Sequence, residues 1–152
     1  MTLTLRLATL DDASRLFGWR NDLETRCQSK RSGEVSWEEH LRWFEESRKN
    51  LKRILCIAES EGKPVGTIRA DEREDGYTEI SYTIAPESRG QGLSKPMVVQ
   101  FVDEFLSGRR LAAKIKKGHY PSESVARALG LSPFLEERSE DPSDPRPMVE
   151  WR

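Results

Sequence analysis

The run Arg89-Gly90-Gln91-Gly92-Leu93-Ser94 has the residue types and spacing of an anion cradle. It follows the alternating stretch Ile80-Ser81-Tyr82-Thr83-Ile84 and a stop at Pro86, and it leads into a helix-like run over 94–106. A glycine-bearing turn that opens a helix leaves backbone N–H groups without intrahelical partners. Those donors and the helix dipole together attract phosphate. A nucleotide P-loop is excluded, because its turn must end in Gly-Lys-Ser/Thr, and Gly92-Leu93-Ser94 stands here instead.

Other residue groups carry chemistry less specifically. Arg20, Asn21 and Arg26 lie beside Trp19, and a guanidinium fork suits sugar or phosphate oxygens. The same residues also read as a helix end tied by local hydrogen bonds. Lys114, Lys116 and Lys117 with Arg109 and Arg110 form the densest positive cluster, either a solvated face or a phosphate contact. His40 reads as a packed or half-exposed helix residue, and Trp37, Trp43 and Phe44 read as core. The two histidines and two cysteines are far apart in sequence, so no metal site is expected.

The elements that must position these groups fit one domain over 1–152, long enough for a real core. With 34% charged residues and a net charge of −1, the chain lacks the bulk positive charge of a general nucleic-acid binder. Two thiols without CxxC spacing predict a reduced, cytoplasmic protein. No signal peptide or membrane-length apolar run is seen.

Leucines at 3, 5 and 7 predict a strand, residues 11–20 a short helix, and 23–34 an irregular polar segment. Ser36 and Glu39 make a capping box for a helix over 37–49. Strands over 53–59, 65–72 and 77–85, joined by short glycine-bearing turns, predict an antiparallel meander. A helix over 94–106, a strand over 111–115, a helix over 122–129 closed by Gly130, an acidic proline-rich loop and a strand over 148–151 complete the chain. The order β-α-α-β-β-β-α-β-α-β predicts an α+β fold, with a mixed, largely antiparallel central sheet flanked by helices.

In this order of elements, and in Arg89-Gly90-Gln91-Gly92-Leu93-Ser94, the chain resembles the GNAT superfamily of acetyl-CoA-dependent N-acetyltransferases. The family pattern is Arg or Gln, two residues, Gly, one residue, then Gly or Ala; Ser94 departs from it at the last position. The resemblance implies that the turn (Arg89, Gly90, Gln91, Gly92, Leu93 and Ser94) binds the pyrophosphate of acetyl-CoA. The backbone near Thr83 and Ile84 would pair with the pantetheine arm. It also implies Glu79 as a general base acting through water.

His119 is a second acid-base candidate, since histidine titrates near neutrality and the family topology brings it near the thiol. Many members carry a tyrosine acid where Ala126 stands. Tyr120 is the candidate to replace it, with Tyr82 a weaker choice. Trp19-Arg20-Asn21-Asp22 with Arg26, and the segment around Trp37 and Trp43, resemble the N-terminal half of bacterial enzymes that acetylate nucleotide-linked amino sugars. This implies a small-molecule amine as acceptor, with Arg20, Asn21 and Arg26 binding it. Protein N-termini, polyamines and a non-catalytic acyl-CoA-binding module are the alternatives. A homodimer is the implied assembly, with neither nucleic acid nor membrane as partner.

Overall fold

A computed structural model describes residues 2–152. Strand β1 (Leu3–Leu7) is followed by a 3-10 turn (Leu10–Asp12), then helices α1 (Ala13–Asn21), α2 (Leu23–Gln28) and α3 (Trp37–Lys49). Strands β2 (Arg53–Ser60), β3 (Lys63–Glu72) and β4 (Tyr77–Ile84) form the expected meander. Helix α4 (Ser94–Phe105), strand β5 (Arg110–Lys116), helix α5 (Tyr120–Ala128), and strands β6 (Pro133–Glu137) and β7 (Met148–Trp151) follow. The seven strands make one mixed sheet in the order β1-β2-β3-β4-β5-β7-β6. The fold is α+β, as the pattern predicts.

Strict alternation along the meander gives the sheet two apolar faces. Cys56, Ala58, Ile68, Ala70 and Ile80 face Met97, Val98 and Phe101 of α4. Leu55 and Ile57 point the other way, onto Leu16, Trp19 and Phe44 of α1 and α3. Phe44 and Phe101 are both fully buried, each contributing roughly 1.5–3 kcal/mol through area removed from water. Helix α3 starts where Ser36 Oγ accepts the Glu39 N–H at 3.2 Å, with acids in its first turn and Arg48 and Lys49 in its last.

Gly130 ends α5 as expected. Its φ of 81° brings Gly130 N to the Arg127 carbonyl at 2.9 Å and Leu131 N to the Ala126 carbonyl at 3.0 Å, a Schellman closure.

Trp37, read as core, is 42% exposed at the start of α3, and the structure corrects the predicted elements in three places. Residues 23–28 form α2 rather than irregular chain, capped by Asp22, which accepts the Thr25 N–H at 3.1 Å. None of its residues is buried, so it has no apolar stripe to read. Strand β6 is absent from the sequence pattern: it is an edge strand with nearly every residue exposed, so a period-2 signal is missing. Helix α5 begins at Tyr120 rather than residue 122, with Pro121 in its first turn, where the missing N–H has no intrahelical role.

The feature that matters for function is a parting in the sheet. β4 and β5 run parallel for only three pairs, Tyr77↔Arg110, Thr78↔Leu111 and Glu79↔Ala112. From there β5 pairs with β7, and β4 continues to Ile84 paired only with β3. Residues 80–84 therefore present one edge of backbone groups to an open wedge. Backbone donors and acceptors require partners when covered, which suits this edge to an extended ligand.

Candidate active site

The wedge leads to the turn expected to hold the cofactor. A 3-10 turn (Pro86–Ser88) redirects the chain after β4, and Gly90 and Gly92 follow at φ of 77° and 69°. Such angles are strained for any residue with a Cβ. A Cβ added at either glycine would meet nothing within 4 Å, so backbone conformation and not crowding requires them, and the space in front of the turn stays clear. Leu93 caps α4 without a side-chain hydrogen bond, and Pro96 has no N–H to satisfy. Leu93 and Met97 are buried in the core and fix the turn from behind. Uncapped N–H groups at a helix start fit a pyrophosphate, so the residues present suit the donor that the resemblance implies.

The side chain of Arg89 points elsewhere. Its Nη2 donates to Asp22 Oδ2 at 2.5 Å and Thr25 Oγ1 at 2.9 Å, while Nη1 lies 2.9 Å from Glu24 Oε2. The Arg89 guanidinium holds the Asp22 carboxyl below the usual carboxylate range. Arg89 thus docks the donor turn onto α2 and leaves its backbone for a ligand. Gln91 lines a separate hollow with Ser60, Lys63, Glu87 and Ser88. Thr83 and Ile84 lie on the open edge of β4, opposite Thr67 and Gly66 of β3.

The acid-base candidates sit at different points of the wedge. Glu79 is at its closed vertex, where the last β4–β5 pair forms. Its Oε1 accepts from Arg73 Nη1 at 3.2 Å, and the same Arg73 holds the buried Glu150 at 2.9 Å. His119 lies beyond the far end of β5 and caps α5, its Nδ1 2.7 Å from Ser122 Oγ. Burial, with the charge of Arg146, pushes His119 below the usual histidine range, and Glu123 and Glu24 oppose this. Burial pushes the Tyr82 hydroxyl up, and the Ser122 hydroxyl opposes it. Ser122 therefore stands between β4 and His119, a role that its position at a helix start did not reveal. Tyr120 is 74% exposed on the rim. Ala126 is buried against Ile115 and Trp151, so the indole fills space that a longer side chain would need.

The residues expected to bind the acceptor lie on α1, α2 and the loops that reach them. Asn21 clamps the loop after α2 by two 2.8 Å bonds to the Val35 backbone. Arg26 donates to the Asn21 and Ser32 carbonyls at 3.1 and 3.3 Å. Both thus tie a helix end. Arg20 is different: its Nη2 makes one long contact, 3.3 Å to the Arg31 carbonyl, and its Nη1 is buried with no partner.

The β6–β7 loop closes over this side. Ser32 Oγ donates to Asp141, and Lys116 Nζ joins Asp144 at 2.6 Å to the Cys27 carbonyl at 2.8 Å. Lys117 pairs with Glu136 at 2.8 Å, so acids neutralise much of the lysine cluster. His40 is core, its Nε2 2.8 Å from the Ala13 carbonyl between Phe17, Trp37 and Trp43. A surface hollow lies under α5 and β6, lined by Lys117, Arg127, Phe134 and Trp151, away from the wedge. Among the described residues no cluster of His, Cys, Asp or Glu is arranged to hold a metal ion, and no helix is long and apolar enough to cross a membrane.

Known proteins give the fold and its family. The chain is similar in structure to a ribosomal-protein-alanine N-acetyltransferase from Brucella melitensis, with TM-score 0.82, 22% identity and 97% of each chain covered. A spermidine N-acetyltransferase from Vibrio cholerae, solved with CoA and spermine, superposes with TM-score 0.86 at 13% identity, over 98% of this chain and 93% of that one. A phosphinothricin acetyltransferase from Sinorhizobium meliloti, solved with acetyl-CoA, gives TM-score 0.81 at 22% identity, over 99% and 87%. No curated protein matches by sequence. The family model for the acetyltransferase (GNAT) domain, however, matches residues 2–132, nearly the whole stretch that builds the wedge and its turn. The chain therefore belongs to the GNAT acetyltransferase family and is an N-acetyltransferase whose acetyl donor is acetyl-CoA.

Proposed function

We propose that the chain acetylates the primary amine of a small molecule, with a nucleotide-linked amino sugar as the preferred acceptor class. The carrying observation is the parting of β4 and β5, which opens between the uncapped start of α4 and the His119–Ser122 pair. Acetyl-CoA supplies a thioester-activated acetyl group when bound. The backbone of Thr83 and Ile84 and the turn Arg89, Gly90, Gln91, Gly92, Leu93 and Ser94 are its holding residues.

An amine must lose a proton to become a nucleophile. His119, kept neutral by burial, accepts that proton through Nε2 while Nδ1 stays with Ser122. Glu79, fixed by Arg73, orients water at the vertex and passes protons toward solvent. Tyr120, on the exposed rim, is the proton donor to the departing thiolate. Arg20, Asn21 and Arg26 shape the acceptor side, Arg20 by contact and the other two by holding the loop after α2. A cytoplasmic setting agrees with the free thiols of Cys27 and Cys56.

Turnover against UDP-linked amino sugars, polyamines and peptides with free N-termini tests this. Turnover with an amino sugar that collapses in His119→Ala supports it. Faster turnover of spermidine or a peptide moves the acceptor to the classes named for the Vibrio and Brucella proteins. A second reading, an acyl-CoA-binding module without turnover, draws on Ala126 packed under Trp151 in place of an acid. Binding of acetyl-CoA with no turnover across the panel selects that reading.

A further inference from the structure

Arg20 is a charge without a counterion. Its Nη1 is buried and unpartnered, and its Nη2 holds only the 3.3 Å contact to the Arg31 carbonyl. The charged groups acting on it are Arg31, Arg26 and Arg69, and with burial they hold it below the usual arginine range. Nearby, Arg69 is half-buried. Its Nε lies 3.0 Å from Asp71 Oδ2, but off the hydrogen-bond axis, and Asp71 is shared with Arg53. One carboxylate thus serves two guanidinium groups, and Arg20 has none. Buried charges in folded proteins are paired, so an imbalance of this kind marks a place where the anion comes with a ligand.

The place also fits an acceptor. Arg69 reaches from β3 toward β4, its Nη2 3.5 Å from Ser81 Oγ. Ser81 belongs to the stretch of β4 that has parted from β5. Arg69 lies over the Trp43 ring at 5.8 Å, as Arg53 does at 5.9 Å, so the indole holds the Arg69 side chain in place. We infer that Arg20, with Arg69, binds an anionic group on the acceptor, a carboxylate or phosphate oxyanion, while the amine of the same molecule reaches the wedge beside Ser81. This rests on the acetyl-transfer reading above and names the chemistry of its acceptor. The incoming oxyanion replaces the Arg31 carbonyl on Nη2 and takes both terminal nitrogens of Arg20 as a fork. A fully cationic acceptor such as a polyamine is disfavoured by the same charges.

Matched amines test the site: ethanolamine against O-phosphoethanolamine, and glucosamine against glucosamine 6-phosphate, assayed by CoA release with the full chain. The phosphorylated member should have a higher kcat/KM by about tenfold or more. Arg20→Gln should collapse that ratio toward one, with acetyl-CoA affinity unchanged, and Arg20→Lys should restore part of it. Arg20→Gln should also hold or raise Tm, because it removes an unbalanced charge; an arginine that only supports the fold would lower it. Equal rates within each wild-type pair, or an unchanged ratio in Arg20→Gln, overturn the inference.

If neither member of any pair is acetylated, the acetyl-transfer reading fails for these amines, and inorganic phosphate alone decides the anion site. A saturable phosphate-induced rise in Tm that Arg20→Gln abolishes supports it. No rise, or the same rise in the variant, overturns it.

Discussion

The two sides of this molecule that we propose to hold donor and acceptor are built on opposite principles. The donor turn works through backbone: two glycines at positive φ, an uncapped helix start, and a strand edge left open by its neighbour. The acceptor side works through side chains from distant segments, with Ser32 on Asp141, and Lys116 between Asp144 and the Cys27 carbonyl. Arg89 joins the two by docking on Asp22, Thr25 and Glu24 of the acceptor side. Backbone recognition tolerates exchange of most side chains, which suits a shared donor. Side-chain recognition changes with each substitution, which suits an acceptor that differs between relatives.

The largest effect should come from breaking the acceptor side at its most buried charge. Lys116 is 3% exposed, and Lys116→Ala leaves the Cys27 carbonyl without its donor and Asp144 with Arg146 alone, so the fold loses a buried charge-assisted contact. Thermal unfolding should show it, with acetyl-CoA affinity in the surviving folded protein unchanged. Equal damage to donor affinity would dissolve the division between the sides.

Gly92→Val is the counterpart on the donor side. It places a side chain in front of the turn at an unfavourable φ and should weaken acetyl-CoA binding by tenfold or more, ~1.4 kcal/mol or above. Isothermal titration checks this, and unchanged affinity in a folded variant would remove the pyrophosphate from this turn.

A smaller effect tests the joint. A double-mutant cycle of Arg89→Ala and Asp22→Ala should give a coupling of about 0.5–1 kcal/mol in stability, since both side chains are partly exposed. No coupling would make the two sides independent.

The smallest effect is in pH dependence. His40 and His119 are both held below the ordinary histidine value by burial. The unfolded chain therefore binds more protons as pH drops below about 6.5, so their contribution is complete above that pH and lost as pH falls through the folded values. Tm should decline on acidification from pH 7.5 to 5, and His40→Gln, which keeps a donor for the Ala13 carbonyl, should flatten the decline. An identical slope in the variant would exclude His40 as a source.

Legibility in the sequence follows the same division. The meander, α3 with its Ser36 cap, α4 and the Gly130 closure could be read because each is declared by residues within a few positions of one another. Helix α2 could not, because it is polar on every side and is held by Arg89 from far along the chain. Strand β6 could not, because an edge strand exposed on both faces has no alternation. Of the acceptor residues read as one polar group, Asn21 and Arg26 serve the loop, and only Arg20 keeps a donor without a partner. Arg69 carries no signal in the sequence, since a strand arginine is ordinary until its neighbours are known.

The sequence by itself determined the turn proposed for the donor, because φ preference and helix-start chemistry are local and six consecutive residues suffice to specify them. Tertiary structure alone decided what the charges do. It gave Glu79 to Arg73, set Ser122 between Tyr82 and His119, and left Arg20 among arginines. The physical reason is that an electrostatic environment is a sum over neighbours in space, and here those neighbours come from separate strands, helices and loops.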